Sequence, residues 1–343
     1  MSVFIIAEVG VNHNGSFELA EKLIHAAAAA GADAVKFQTF NAEELVLAGA
    51  DQADYQRQSA PDNDQLTMLK KLEMPLGWIE RLHEICESCQ VEFMSTAFDR
   101  EAAEHLRKYI KRIKIPSGEL TNIPFIQYLT TYDLPLILST GMGSMQEIEE
   151  AVEAIVQTRT ERAFDVNLED ILTILHCTSS YPTQLVDVNM KALQTISGKF
   201  GVPVGYSDHT QGEVASMTAV AMGGQVIEKH ITLDTNLPGP DHQASLEPDA
   251  FESMVNKIRE VELCLGDGVK APREDELAVR RVARRGLVLL NPRKKGECLE
   301  ASDIGILRPE GDIAPKYFDR LVGAKLLRDV AGGQSLQWED IEE

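Results

Sequence analysis

Basic residues are scarce in this chain: 33 lysines and arginines stand against 54 aspartates and glutamates, a formal net charge of -21 at pH 7. Such acidity repels phosphodiester backbones and anionic lipid, which argues against general binding to nucleic acid or to a membrane. It also makes any lysine in an apolar setting informative, because an anionic substrate needs a local basic pocket. Long apolar runs are missing too, and none approaches the roughly 18 residues of a membrane helix. The opening MSVFIIAEVG has no basic stretch ahead of its apolar run, so no secretory signal is expected. Cysteines number only five, an odd count scattered along the chain, which suggests reduced thiols in the cytoplasm. Cys86 and Cys89 form a solitary C-x-x-C inside a helical stretch and read as structural. No Walker-type loop or dinucleotide glycine fingerprint is found, which disfavours nucleotide binding.

What is present is a rhythm. Eight short apolar runs between Phe4 and Thr232 each end in residues able to do chemistry. They end in Glu8, in Lys36 and Gln38, in Ser95 and Thr96, and in Lys114, Ser117 and Glu119. The series continues with Ser139 and Thr140, His176 and Cys177, Ser207 to His209, and Glu228 to His230. Strands near 91–97, 112–117, 135–140, 171–177, 202–207 and 225–231 follow those at the start, with helical patterns between them. Alternating β and α segments call for a parallel sheet. Eight units favour a (β/α)8 TIM barrel, whose strand ends surround one pocket, over an open doubly wound sheet. The 343 residues divide accordingly: 1–270 as the barrel, 271–282 as a polar linker, and 283–343 as a small β-rich domain. The polar excursion 41–65 reads as a lid or substrate-binding loop.

Three constellations carry chemistry. His209 and His230 lie just beyond neighbouring strands, close enough to share a divalent metal. Lys36 and Lys114, joined by Ser117, Ser139 and Ser207, suit a phosphate and a carboxylate. Glu8, Glu119, Asp241 and Tyr181 are candidate acid–base groups, with Glu119 foremost as the base and Glu8 more a positioning group. Spacing alone supports a metal-assisted reaction on a small phosphorylated or carboxylated carbon compound.

The segments AEVGVNHNG (7–15), ADAVKFQTF (32–40), IKIPSGELTN (113–122), LSTGM (138–142), LHCTSSYPT (175–183), VGYSDHT (204–210), VIEKHITLD (226–234) and PGPDHQASLEP (238–248) together resemble the sialic acid synthase family. Its members make N-acetylneuraminate, legionaminate and pseudaminate. The tail, with ARRGLVLL, RKKGECLEASDI and GAKLLRDVAGGQSL, resembles the family's SAF, or antifreeze-like, domain. The resemblance implies condensation of phosphoenolpyruvate with an open-chain acetamido-mannose-type sugar, leaning toward the diacetamido sugar of legionaminate over N-acetylmannosamine. It implies a divalent ion, Mn2+ foremost with Mg2+ or Co2+ as alternatives, on His209 and His230. Lys36, Lys114, Ser117, Ser139, Ser207 and, less directly, Thr96 match its phosphoenolpyruvate site, and Glu119 its central carboxylate. Gln38, Tyr181 and Asp241 match sugar-contacting positions, while Ser179 stands where some members have asparagine. A domain-swapped homodimer is implied as well, in which Arg284, rather than Arg285, reaches the partner's site. A metal-dependent keto-acid aldolase or lyase on the same barrel is the competing expectation.

Overall fold

The computed structural model describes residues 2–342, the side chain of Gln58 excepted, and divides into two compact units, one ending at Gly266 and the other starting at Asp267. In the first, eight parallel strands follow the chain: β1 (Phe4–Gly10), β2 (Ala34–Thr39), β3 (Glu92–Ala97), β4 (Ile113–Ile115), β5 (Leu136–Ser139), β6 (Leu172–Cys177), β7 (Val204–Asp208) and β8 (Val226–His230). They are hydrogen-bonded in the order β3-β2-β1-β8-β7-β6-β5-β4. Pairing of β1 with β8 joins the first strand to the last, and β3 and β4 lie side by side at the remaining seam. The sheet is thus a nearly closed barrel, as the strand rhythm predicts, and not an open sheet.

The two-residue period of a strand explains why the pocket sits where it does. Ile6, Ala34, Met94, Ile137, Leu175 and Val226 form an apolar layer of their own inside the barrel. Two residues further along the same strands come Glu8, Lys36, Thr96, Ser139, Cys177 and Glu228, a polar layer on an apolar floor. The alternate positions, such as Ile5, Val35, Phe37 and Tyr206, face outward and pack under the helices in the main core. Those helices start with conventional signals: Ser16 caps Phe17–Ala29, and Ser144 with Glu147 forms a capping box on Met145–Glu161. No helix among the described residues is long and apolar enough to cross a membrane.

The excursion after β2 is better ordered than a polar loop. It folds into short helices, Ala42–Leu45 and Asp54–Ser59, followed by Gln65–Leu72. Val11, Phe40, Ala42, Met68 and Leu72 give it a small core separate from the barrel's.

In the second unit the stretch read as a linker is largely the helix Glu274–Ala283, none of whose residues is buried. An antiparallel pair follows, β9 (Gly286–Leu289) with β10 (Ile304–Leu307). Leu287, Leu289, Leu299, Ile304, Ile313, Leu321, Leu326, Val330, Leu336 and Ile341 make its core. Two similar turns punctuate it. Asp303 accepts the N–H of Glu300 and pairs with Arg293, while Asp340 accepts the N–H of Gln337 and pairs with Arg328.

Candidate active site

The polar layer converges on a cavity of about 490 Å³ at the carboxyl ends of the strands. Its floor is a chain of buried charges. Lys36 Nζ lies 2.6 Å from Glu8 Oε2 and 3.6 Å from Glu228 Oε2, and donates to Thr96 Oγ1 at 3.3 Å. Lys114 Nζ lies 3.6 Å from Glu228 Oε1, which also accepts from Ser207 Oγ at 3.0 Å. Gln38 Nε2 donates to Glu8 Oε1 at 3.0 Å. Burial opposes the charge on Lys36, but Glu228 and Glu8 outweigh it and hold the ammonium above its ordinary value. For Lys114 burial prevails, and its pKa falls below the usual lysine range. Burial likewise works against ionised Glu228, yet Lys114 and Lys36 win and keep it a carboxylate.

The two histidines stand together above this floor, ring centroids 5.5 Å apart. His209 Nδ1 donates to the Thr178 carbonyl at 2.9 Å, which orients the ring and leaves Nε2 for a ligand. Burial opposes a charge on this ring, but Cys177 and that carbonyl outweigh burial and raise its pKa to about 9. His230 Nδ1 is buried without a hydrogen-bond partner and lies 3.9 Å from Asp241 Oδ2. Burial, reinforced by Glu8, pushes the Asp241 carboxyl up to about 6. The Tyr181 ring lies tilted against His209, centroids 4.1 Å apart, and stacks at 5.0 Å on Tyr55, which the helix Asp54–Ser59 brings in from the excursion after β2.

Asp241 is positioned by side chains of the VNHNG turn. Asn12 Nδ2 donates to Ile231 O and to Ser245 Oγ at 2.9 Å each, and Ser245 Oγ in turn donates to the Asp241 carbonyl at 2.7 Å. Asn14 Nδ2 donates to Pro238 O at 2.9 Å and lies 3.1 Å from His242 Nε2. At the opposite rim, Ser117 Oγ accepts the Gly141 N–H at 2.9 Å, whereas Ser139 Oγ is buried and unpartnered. Gly141 leaves no room for a side chain, since a Cβ there would fall 2.3 Å from Ser179 Oγ.

Residues 23–270 match the NeuB family and residues 284–342 the SAF domain. The chain belongs to the NeuB family. It is 45% identical over its whole length to the N,N'-diacetyllegionaminic acid synthase of Legionella pneumophila, of which the alignment covers 95%. Identity to the synthase of the same name from Campylobacter jejuni is 41%, over 93% of this chain and 94% of the relative. Among solved structures, the N-acetylneuraminic acid synthetase of Leptospira borgpetersenii superposes with a TM-score of 0.71 at 32% identity, over 81% of this chain and 90% of that one.

In this NeuB-family chain the barrel brings together Glu8, Lys36, Gln38, Thr96, Lys114, Ser117, Ser139, Tyr181, Ser207, His209, His230 and Asp241 on one cavity wall. Glu119 is set apart. Ser117 and Gly118 line the cavity, but Glu119 turns away, its Oε2 accepting from Asn122 Nδ2 at 2.6 Å. Arg284 belongs to the second unit, where its guanidinium lies 3.6 Å from Glu310 Oε1. Two polar lining residues, Glu228 and Tyr55, are not among the site residues expected from the sequence. Glu228, in the middle of VIEKH, reads in the sequence only as part of a polar strand end, although it is the carboxylate shared by both lysines. Tyr55 lay in the polar excursion, and no local signal marked it.

Among the described residues, no cluster of three or more histidine, cysteine, aspartate or glutamate side chains is gathered as a metal cage. Two imidazoles, one with a free Nε2 and one with an unpartnered Nδ1, nonetheless fit an ion that takes its other ligands from substrate and water. The charges favour the same conclusion. Two lysines and His209 face three carboxylates, Glu8, Glu228 and Asp241, so the pocket holds little positive charge to spare for an anionic substrate, and a divalent ion on the imidazoles would add it.

Proposed function

We propose that the chain is a nonulosonic acid synthase that condenses phosphoenolpyruvate with an open-chain, N-acetylmannosamine-type sugar, yielding a nine-carbon 2-keto acid and phosphate. The observation that carries this reading is the single cavity in which the Lys36–Glu228–Lys114 chain adjoins the His209–His230 pair. Phosphate and carboxylate of phosphoenolpyruvate fall to Lys36, Lys114, Ser117, Ser139 and Ser207, with Thr96 holding Lys36. The unpartnered Ser139 hydroxyl supports that assignment, because a buried hydroxyl without a partner is disfavoured unless a ligand supplies one. Glu8 and Gln38 orient Lys36 and one face of the sugar.

C3 of the enol attacks the sugar aldehyde, a C–C bond forms, and the aldehyde oxygen takes up a proton. Water adds at C2 and gives up one proton, leaving a C2 hydroxyl; the C–O bond to phosphate then breaks, and the hydroxyl proton passes to the leaving phosphate as the 2-keto group forms. Asp241, pushed to about 6, suits proton exchange near neutrality beside Tyr181. Glu119, the expected central carboxylate, stays a candidate if substrate draws it away from Asn122. A divalent ion held by His209 and His230, Mn2+ or alternatively Mg2+ or Co2+, would supply Lewis-acid polarisation of the aldehyde and orientation of the water.

For the sugar we favour the 2,4-diacetamido-trideoxy compound of N,N'-diacetyllegionaminate over N-acetylmannosamine. The wall formed by Tyr55, Gln56, Gln65, Met68, Leu69 and Leu72 is uncharged and largely apolar, which suits an added acyl methyl and a deoxy carbon better than the free hydroxyls of N-acetylmannosamine. We also propose that the protein works in the cytoplasm as a domain-swapped homodimer in which the partner contributes Arg284, whose side chain is 56% exposed.

The test is phosphate release from phosphoenolpyruvate with N-acetylmannosamine, its 6-phosphate and the diacetamido sugars, with and without chelator. Chelator-sensitive release with an acetamido sugar is expected. Pyruvate turnover without phosphate would instead favour a keto-acid lyase, and no turnover with any sugar would sink the synthase reading. Glu119→Gln is expected to bind substrates and lose turnover; near-normal rates would remove it from the chemistry.

A further inference from the structure

Behind the His209–His230 pair, on the outer face of β7 and β8, lies a charged cluster that takes no part in the pocket. Strand alternation puts it there. Ser207 pairs in register with Glu228, and both point inward. Asp208 pairs with Lys229, and these two point outward beneath the helix Val214–Ala221. The next residues, His209 and His230, point inward again. Each imidazole is thus the immediate chain neighbour of one member of the outward pair.

That pair is fully buried: Asp208, Lys229, Thr210 and Ser216 all have 0% exposure. Lys229 Nζ lies 3.1 Å from Asp208 Oδ2 and donates to the Thr210 carbonyl at 2.5 Å. Asp208 Oδ1 accepts the Thr210 N–H at 2.8 Å, and Ser216 Oγ donates to Asp208 Oδ2 at 2.7 Å. Both backbone groups of Thr210, the residue after His209, are therefore held by this pair. The His209 carbonyl is held as well, by the N–H of Thr183 at 2.8 Å. On the other strand the His230 carbonyl accepts from Leu246 N at 2.9 Å.

A buried ion pair is weak ground for expecting stability, because desolvating two charges offsets most of their attraction. Neutral apolar side chains would fill this space at least as well. What apolar residues would not do is bind the N–H and C=O of Thr210 together and so fix where β7 releases the chain.

Taking the proposed ion at His209 and His230 as given, we propose that Asp208 and Lys229 are positioning residues: a buried cross-strand clamp that sets the separation of the two imidazoles for metal binding. Ser216 is its third member, since its hydroxyl orients the Asp208 carboxylate. The clamp acts through the backbone of residues 209 and 210 and touches neither substrate nor ion.

The test measures Mn2+ binding by calorimetric titration of the full-length protein, independently of turnover. Asp208→Asn combined with Lys229→Met removes both charges, so neither is left buried alone. This double variant is expected to keep its far-UV circular dichroism while Mn2+ affinity falls about tenfold, the scale typical of lost outer-shell support. Affinity within about twofold of the parent, in a folded double variant, overturns the clamp. Should that variant fail to fold, Ser216→Ala carries the test, because it leaves both charges and suits a helix. Its expected signature is a loss of about threefold in Mn2+ affinity with Tm within a few degrees of the parent, and unchanged affinity overturns the proposal. A merely structural pair would lower Tm and leave affinity well below Tm unaltered. If the parent binds no Mn2+ at all, the metal reading fails and the clamp with it; equal binding by parent and variants sinks the clamp alone.

Discussion

In the C-terminal unit, Asp303 and Asp340 are satisfied on both oxygens. One oxygen of each accepts a backbone N–H three residues back, and the other faces Arg293 or Arg328. In the barrel, Glu228 sits between two lysines each 3.6 Å away, and its Oε2 has no hydrogen-bond partner. Ser139 Oγ and His230 Nδ1, on the same cavity, are also buried and unpartnered, whereas the C-terminal unit has no such atom among its described residues. A buried polar atom left alone is disfavoured by about 1–3 kcal/mol, and four of the eleven such atoms among the described residues, on Glu8, Ser139, Glu228 and His230, line this one cavity, where a ligand would complete their hydrogen bonding. A buried carboxylate holds a turn together in one unit and, in the other, has an oxygen without a hydrogen-bond partner. Asp208 shows that the distinction follows surroundings and not domain: it lies in the barrel, yet its carboxylate is satisfied by Lys229, Thr210 and Ser216.

The comparison breaks most visibly if an unpartnered group can be removed at no cost to function. His230→Gln is expected to lower chelator-sensitive phosphate release at least about a thousandfold with the fold intact by circular dichroism. A rate within about tenfold of the parent would mean that the vacant nitrogen is a packing accident. Next in size is Glu228→Gln. Glutamine keeps an acceptor for Ser207 but removes the negative charge between Lys36 and Lys114. A loss of about a hundredfold in kcat/KM for phosphoenolpyruvate is expected, with a small change in Tm. A large fall in Tm with normal kinetics in the folded fraction would place Glu228 with the structural carboxylates instead.

Which of these groups a reader of the sequence could find depended on whether their signal was local. Glu8, Lys36, Ser139 and His230 were legible because each ends an apolar run, and period-two alternation then turns them into the barrel. The barrel itself was legible for the same reason: strands β6 and β8 fall where the pattern puts them. Tyr55 was not legible, since it enters the pocket through a stack on Tyr181, 126 positions away, which no local pattern marks. The direction of Glu119 was equally hidden, because Asn122, three residues on, offers its carboxylate a bond that the motif does not reveal. The role of Lys229 needed the cross-strand register, which only pairing of β7 with β8 supplies.

On the satisfied side, Asp340→Asn should act on stability. The change weakens a charge-assisted bond to Arg328 and leaves the Gln337 N–H a carbonyl or an amide group to face. A cost of about 2 kcal/mol is expected, read as a lower midpoint in urea with an unchanged slope. A stability loss below about 0.5 kcal/mol would show that the fully paired aspartate is dispensable and that complete hydrogen bonding does not identify a structural carboxylate.

The smallest effect expected is in the response of the two units to acid. His13 is fully buried against Phe37 and Trp78, and burial pushes its pKa down to about 4 from 6.5. A histidine buried neutral takes up protons more readily when unfolded, so its contribution is intact above 6.5 and falls as pH drops from 6.5 toward 4. His242, lowered to about 4 by burial, adds the same trend. Between pH 7 and 5 the barrel should lose on the order of 1–2 kcal/mol through His13. The C-terminal unit has no histidine. Its first acid-sensitive contact is Asp303, which Arg293 and the Glu300 N–H hold below its usual 3.8. A depressed carboxylate contributes above that value and loses its contribution only as pH falls below it, so this unit should be indifferent over the window in which the barrel weakens. Urea midpoints of the parent and of His13→Gln at pH 7 and 5 check the claim. A shallower pH dependence in the variant is the expected outcome, and identical slopes would remove His13 as the source.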